Sequence, residues 1–152
     1  MKTTSNSFGH SWQFIARSLD WLASPAFLLL RIWVALAFLK AGYLKVTSWG
    51  TTLYLFQYEY AVPLLPPVFA AYLATFVELV MPSLLLLGLL TRPAALLLFI
   101  FNIMAVISYP DLDPIAASDH QAWGVALLLL ATAGAGRWSG DQWLSRNVCR
   151  IA

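Results

Sequence analysis

Charge is scarce in this sequence: 11% of its 152 residues are Asp, Glu, Lys or Arg, against about 25% in a soluble domain. A chain with so few charges cannot cover a water-facing surface. Cysteine is scarcer still. The one present, Cys149, lies in a polar tail and reads as an incidental thiol, so an intrachain disulfide and a thiolate metal cluster are both excluded. There are 2 histidines, no Gly-rich phosphate loop, no Cys pair and no nucleophile elbow, so the soluble-enzyme signatures are missing. A net charge of +2 is too small to suggest nucleic acid as a partner.

Apolar length takes their place. The chain is 61% hydrophobic with a mean hydropathy of +0.74. Its apolar runs predict four membrane spans at 25–45, 68–90, 93–109 and 120–136, close to the ~20 residues a bilayer core requires. Thr91-Arg92-Pro93 separates the second from the third and forces an antiparallel hairpin, with Pro93 suited to a first helical turn. The predicted fold is all-α: an integral membrane antiparallel four-helix bundle with short interfacial helices. Residues 1–24 form an interfacial N-terminal segment, 25–137 the spanning domain and 138–152 a polar tail. Trp12, Ile15, Ala16, Leu19 and Leu22 recur at helical spacing and predict an amphipathic interfacial helix. With Arg17 and Asp20 among them, these residues do not read as a cleaved signal peptide. Trp49, Leu53, Phe56 and Tyr60 predict a second interfacial helix ended by Pro63, anchored at headgroup level by Trp49, Tyr54 and Tyr58.

The loops are electrostatically unequal. Lys2, Arg17, Arg92, Arg137, Arg146 and Arg150 gather on one side, while Lys45, Glu59, Asp111, Asp113 and Asp119 lie on the other. The positive-inside bias therefore predicts a cytoplasmic-membrane protein with both termini in the cytoplasm.

Glu78 is the most informative residue. It falls near the middle of the second run, where a carboxylate costs about 2.5–3.5 kcal/mol on insertion scales. Pro82 offers no N–H to the Glu78 carbonyl, so a second polar group falls at the same depth. On the first helix Arg31, Ala35, Phe38, Gly42 and Lys45 share one face, with Lys40 roughly opposite Arg31. Counted from the ends of the runs, Arg31 lies ~9 Å deep and Glu78 ~15 Å from the far end. The expected pair is Arg31 with Glu78, and Lys45 extends the polar face outward. Lys40 and Lys45 are near enough to the outer interface to snorkel, and Arg31 snorkelling to the cytoplasmic headgroups is the competing reading. Asn102 reads as interhelical glue, worth ~0.6 kcal/mol on average. Asp119 is expected to cap the fourth helix, with His120 an interfacial donor. His10 is expected on the opposite side, so no internal bis-His site forms, no metal set is complete, and haem or copper is not expected from this chain alone. Ala37, Ala41, Gly88, Gly124, Ala131 and Gly134 allow close helix contact.

Leu30-Arg31, the stretch Phe38-Leu39-Lys40-Ala41-Gly42-Tyr43-Leu44-Lys45 with its Gly-x-x-Lys ending, Glu78, and Leu87-Gly88-Leu89-Leu90-Thr91-Arg92 together resemble the DoxX family of small bacterial membrane proteins. The resemblance runs over about 30–136. It implies a four-helix bundle in the inner membrane and makes Arg31, Lys45 and Glu78 the expected polar core. Some relatives are described as quinone-linked subunits of sulfur-compound oxidation, others as membrane partners of oxidative-stress enzymes. The stretches 58–67 and 102–110 resemble a sub-branch found beside genes for modified metal-binding peptides. That would imply a part in copper or metal homeostasis, or in peptide maturation or export, without direct metal ligation.

Three functions follow as expectations. The first is a non-enzymatic accessory protein acting with a protein partner or a second copy, docking through its Tyr-rich and acidic loops. The second is a quinone-linked oxidoreductase subunit, with Glu78 and Arg31 at the reacting centre and Lys45, Lys40, Asn102 and His120 around the quinone. The third is a proton-coupled small-solute transporter.

Overall fold

The computed structural model describes residues 6–134, 136 and 138–142, with side chains from residue 21 onward. Lys2, Arg137, Arg146, Cys149 and Arg150, and the side chains of His10, Trp12 and Arg17, lie outside the described residues. Among the described residues five helices follow in order: α1 (Asn6–Thr47), α2 (Trp49–Tyr58), α3 (Pro67–Leu87), α4 (Thr91–Ser108) and α5 (Pro114–Ala133).

The first difference from expectation is in α1. It is one helix through Pro25, where the sequence predicts an interfacial helix followed by a separate span. Proline's fixed φ is itself helical, and the carbonyl it leaves without an N–H is tolerated where neighbours satisfy it. The second difference is in the number of spans. Among the described residues, the helices long and apolar enough to cross a membrane are three, Trp21–Thr47, Pro67–Leu87 and Thr91–Ser108, against the four expected. α5 matches them in length, but Ser118, Asp119, His120 and Gln121 sit in its first half and hold its hydropathy down. The fold is an all-α membrane helical bundle in which α1, α3, α4 and α5 pack together.

Local chemistry explains the helix ends. Pro67 occupies the first turn of α3, and Gly88 closes it at φ 67, its N–H reaching Leu85 O at 3.1 Å while Leu89 N–H reaches Leu84 O at 3.0 Å. That left-handed closure suits glycine, which has no Cβ to clash. The cap of α5 lies six residues before the expected one. Asp113 accepts from Ile115 N–H at 2.8 Å, with Pro114 at the first helical position. The Asp-Pro pair is a start signal in its own right, and Asp119 lies inside the helix.

The main core sits in the half of the bundle nearer the α3–α4 turn. Val34 and Phe38 of α1 meet Leu85 of α3, Leu98 of α4, and Leu127 and Leu130 of α5, all buried. A second cluster lies under α2, where Phe56 packs on Ala70, Ala71 and Ala74 of α3. Trp49 and Leu53 join it, so Trp49 packs inward on α3, its ring tilted against Tyr72 at 4.6 Å, and α2 ends at Tyr58, short of the expected stop at Pro63. Tyr54 and Tyr58 are exposed and lie against each other at 4.9 Å.

Contact between Gly88 and Arg31 fixes the vertical register of the bundle: a Cβ on Gly88 would collide with Arg31 Nη1. Arg31 is thus level with the α3–α4 turn. Glu78 lies ten residues back along α3, ~15 Å higher, and Lys45 fourteen residues along α1, ~21 Å higher.

Candidate functional site

Glu78 is 6% exposed, and its partner is Lys45. Lys45 Nζ donates to both carboxylate oxygens, at 2.8 Å to Oε1 and 2.7 Å to Oε2. This corrects the expected Arg31–Glu78 pair. Counting depth from the start of the apolar run places Arg31 inside the bundle, whereas the turn contact places it at one end. The ~15 Å that separates it from Glu78 is about twice the reach of an arginine side chain. Lys45 starts ~6 Å above Glu78, but a helical side chain leans toward its own N-terminus. α1 and α3 run antiparallel, so the two side chains lean toward each other and meet.

Close approach of α1 and α3 makes the pair reachable. A Cβ on Gly42 would come within 2.9 Å of Leu79 Cδ2 and 3.0 Å of Glu78 Cβ, so only glycine lets the helices come this near. The Gly-x-x-Lys spacing then has a physical reading: glycine sets the distance and lysine, one turn on, uses it. Arg31, Val34, Ala35 and Phe38 are buried and Gly42 is too, so the face predicted for α1 is its core face. Lys40 is exposed on the opposite side, away from Glu78.

Thr52 of α2 extends this polar layer. It is buried, and its hydroxyl lies 3.1 Å from Lys45 O and 3.2 Å from Ser48 O, tying α2 back to the end of α1. Tyr60, just past α2, packs edge-on against Phe56 at 4.9 Å and Tyr109 at 5.4 Å. Burial pushes its phenol above the ordinary tyrosine value, and the neighbouring Tyr109, Glu78 and Glu59 push the same way.

A second polar constellation joins α4 to α5. Asn102 Nδ2 donates to His120 O at 2.9 Å, and Asn102 Oδ1 lies 2.7 Å from His120 Nδ1. With the amide oxygen facing it, Nδ1 is the nitrogen suited to carry the proton, and in the neutral ring Nε2 is then the acceptor. Gly124 makes room, since its Cβ would fall 3.3 Å from Asn102 Nδ2. His120 is half-buried and edge-on to Trp123 at 4.9 Å, inside a helix rather than at its start. An open groove of ≈ 390 Å³ runs past both residues, with walls from Phe99, Ile103, Val106 and Leu128. Asn102 thus joins α4 to α5 through two contacts with His120.

The third lies at the Arg31 end. Arg31 is 1% exposed, and Nη2 donates to Trp138 O at 2.8 Å. The segment Trp138–Gln142 closes this end of the bundle: Asp141 accepts from Leu90 N–H at 2.7 Å and Thr91 N–H at 3.0 Å, and its own N–H reaches Gly88 O at 2.8 Å. A tail carboxylate caps α4, which the sequence alone does not suggest because 51 residues separate Leu90 from Asp141. Among the described residues, no group of three or more His, Cys, Asp or Glu stands close enough to hold a metal ion.

No curated protein and no solved structure matches the chain. The DoxX family model matches residues 26–110, a stretch that begins just past Pro25, includes Arg31, Gly42, Lys45, Glu78 and Asn102, and stops short of α5 and the capping tail. On that match, over more than half its length, the chain belongs to the DoxX family.

Proposed function

We propose that this DoxX protein is an accessory component of the bacterial inner membrane, acting with a protein partner rather than as an enzyme alone. The observation that carries the reading is the closure of the polar core. Both oxygens of Glu78 are already held by Lys45 within the chain, so the acid has a structural role that asks for no substrate. The loops at that end supply the docking surface: Tyr54, Tyr58, Leu64 and Leu65 are exposed there, and Asp111 and Asp113 lie on the neighbouring connection. The partner would belong to a metal-homeostasis or modified-peptide system. The chain would sit with its Arg92 turn in the cytoplasm, following the positive-inside bias, and α5 would complete the crossing so that its tail returns to the same side. Purification in mild detergent, with bound proteins identified by mass spectrometry, tests this. One stoichiometric partner, lost when the 58–65 loop is replaced by a Gly-Ser linker, is the expected result; recovery of this chain alone at near-native expression overturns it.

A quinone-linked role is the second reading, favoured by the α4–α5 groove. In the neutral ring His120 Nε2 is an acceptor beside an apolar groove, which suits the hydroxyl of the reduced, quinol form and an apolar tail beside it. A bound quinone would supply the two-electron chemistry, and Asn102 would hold the imidazole in the accepting tautomer. Extraction of the purified protein should then recover quinone that Asn102→Leu abolishes.

A further inference from the structure

Three buried side-chain polar atoms of the described residues have no hydrogen-bond partner: Arg31 Nε, Arg31 Nη1 and Thr91 Oγ1. Both residues belong to the end of the bundle closed by the α3–α4 turn. Arg31 Nη1 lies against Gly88 beside Ser139, and Thr91 opens α4 three residues later. Unsatisfied buried donors are rare enough in native proteins that each calls for an explanation.

An open cleft of ≈ 720 Å³ lies at this place, lined by Thr91, Arg92, Gly134, Ser139, Asp141 and neighbouring residues. Thr91 is fully buried and lines it, with its hydroxyl unused among the described residues. Arg92 is exposed, and its guanidinium lies beside Gly134, where a Cβ would come within 3.2 Å of Nε. The N-terminus of α4 adds roughly half a positive charge. Against these stands one carboxylate, Asp141, already spent on the Leu90 and Thr91 N–H groups. Among the described residues, Arg92 and the helix dipole face one acid, with the Arg31 guanidinium buried behind the lining, and this balance favours an anion.

We propose that this cleft is a binding site for a phosphate-class oxyanion. Arg92 and the Thr91 hydroxyl donate to it, and Arg31 supplies charge from behind Ser139. Asp141 is the intrachain carboxylate that partly occupies the same positive field. A phosphate fits better than a second carboxylate because the remaining donors come from different directions onto a tetrahedral set of oxygens, while the paired N–H groups a carboxylate prefers are already taken. The phosphate has two chemical sources, a lipid headgroup reached from the end of the bundle or free phosphate from water.

Full-length protein, delipidated in dodecyl maltoside, separates them. One arm titrates phosphatidylglycerol and counts retained lipid by native mass spectrometry; the other titrates inorganic phosphate by calorimetry. Either arm showing saturable one-to-one binding supports the site, and which arm does so names the source. Arg92→Gln, at an exposed position, should weaken that binding about tenfold or more. Thr91→Val should weaken it by a smaller factor, and Asp141→Asn should tighten it by removing a like charge. No saturable binding in either arm, or binding unchanged by Arg92→Gln and Thr91→Val together, overturns the proposal. Neither readout depends on the protein partner or quinone discussed above.

Discussion

Replacing Lys45 by Met takes the ammonium from a carboxylate that is 6% exposed and has both oxygens in use. Removing one partner of a buried pair costs about 3–5 kcal/mol, because an uncompensated charge stays behind. The two halves of this pair are not equivalent. The Lys45 side chain is 20% exposed against 7% for Glu78, and a lysine near a helix end can turn toward the interface when its partner goes. Lys45→Met should therefore destabilise by the full ~3–5 kcal/mol, while Glu78→Gln should cost less, about 1–2 kcal/mol of lost charged hydrogen bonding. The double variant Lys45→Met/Glu78→Gln should recover most of the Lys45→Met loss, since two well-packed neutral groups replace a pair whose attraction is offset by its desolvation. The assay is reversible unfolding in mixed micelles, followed by circular dichroism, for wild type, both single variants and the double. The reasoning is refuted if Lys45→Met is as stable as wild type, or if the cycle built with Arg31→Gln, rather than Lys45→Met, shows the coupling to Glu78.

Gly42→Val should push α1 from α3, because even a Cβ meets Leu79 Cδ2 at 2.9 Å; a loss of about 1–3 kcal/mol is expected in the same unfolding assay. A stability equal to wild type would mean the helices do not rely on that approach. Asp141→Ala removes the cap on α4 and should cost about 0.5–2 kcal/mol, with faster hydrogen exchange at the Leu90 and Thr91 amides as its local signature; unchanged exchange there argues against the cap. Tyr60 should titrate above the ordinary tyrosine range in the ultraviolet difference between wild type and Tyr60→Phe, because burial and nearby acids disfavour its phenolate. Its folded value is raised, so its contribution to stability is fully present below the ordinary tyrosine value and is lost as pH rises through the folded one. A midpoint at or below that of free tyrosine contradicts the burial.

Periodicity made the long helices, the turn at Arg92 and the inward face of α1 readable from the sequence. It also singled out Glu78, since a lone carboxylate in an apolar run needs an explanation whatever the fold. Its partner was not readable, because that depends on the vertical offset between two helices. Apolar run lengths place that offset poorly when one helix continues past its apolar run, as α1 does by reaching back through Pro25 to Asn6. The start of α5 was legible in Asp113-Pro114 but was masked by the more polar Asp119-His120 pair six residues on. The Arg31 end was opaque for another reason. Its acceptor is the Trp138 carbonyl, and a backbone atom leaves no mark on a pattern of side chains.

The clasp formed by Trp138–Gln142 has a practical consequence for anyone handling this protein. Affinity or fluorescent fusions joined upstream of Trp138 would strip Arg31 of its acceptor and α4 of its cap in one cut. Low yield from such a reporter would then reflect a damaged seal, not the sidedness it was built to report. Junctions placed after Gln142 keep the clasp and give the fairer topology map.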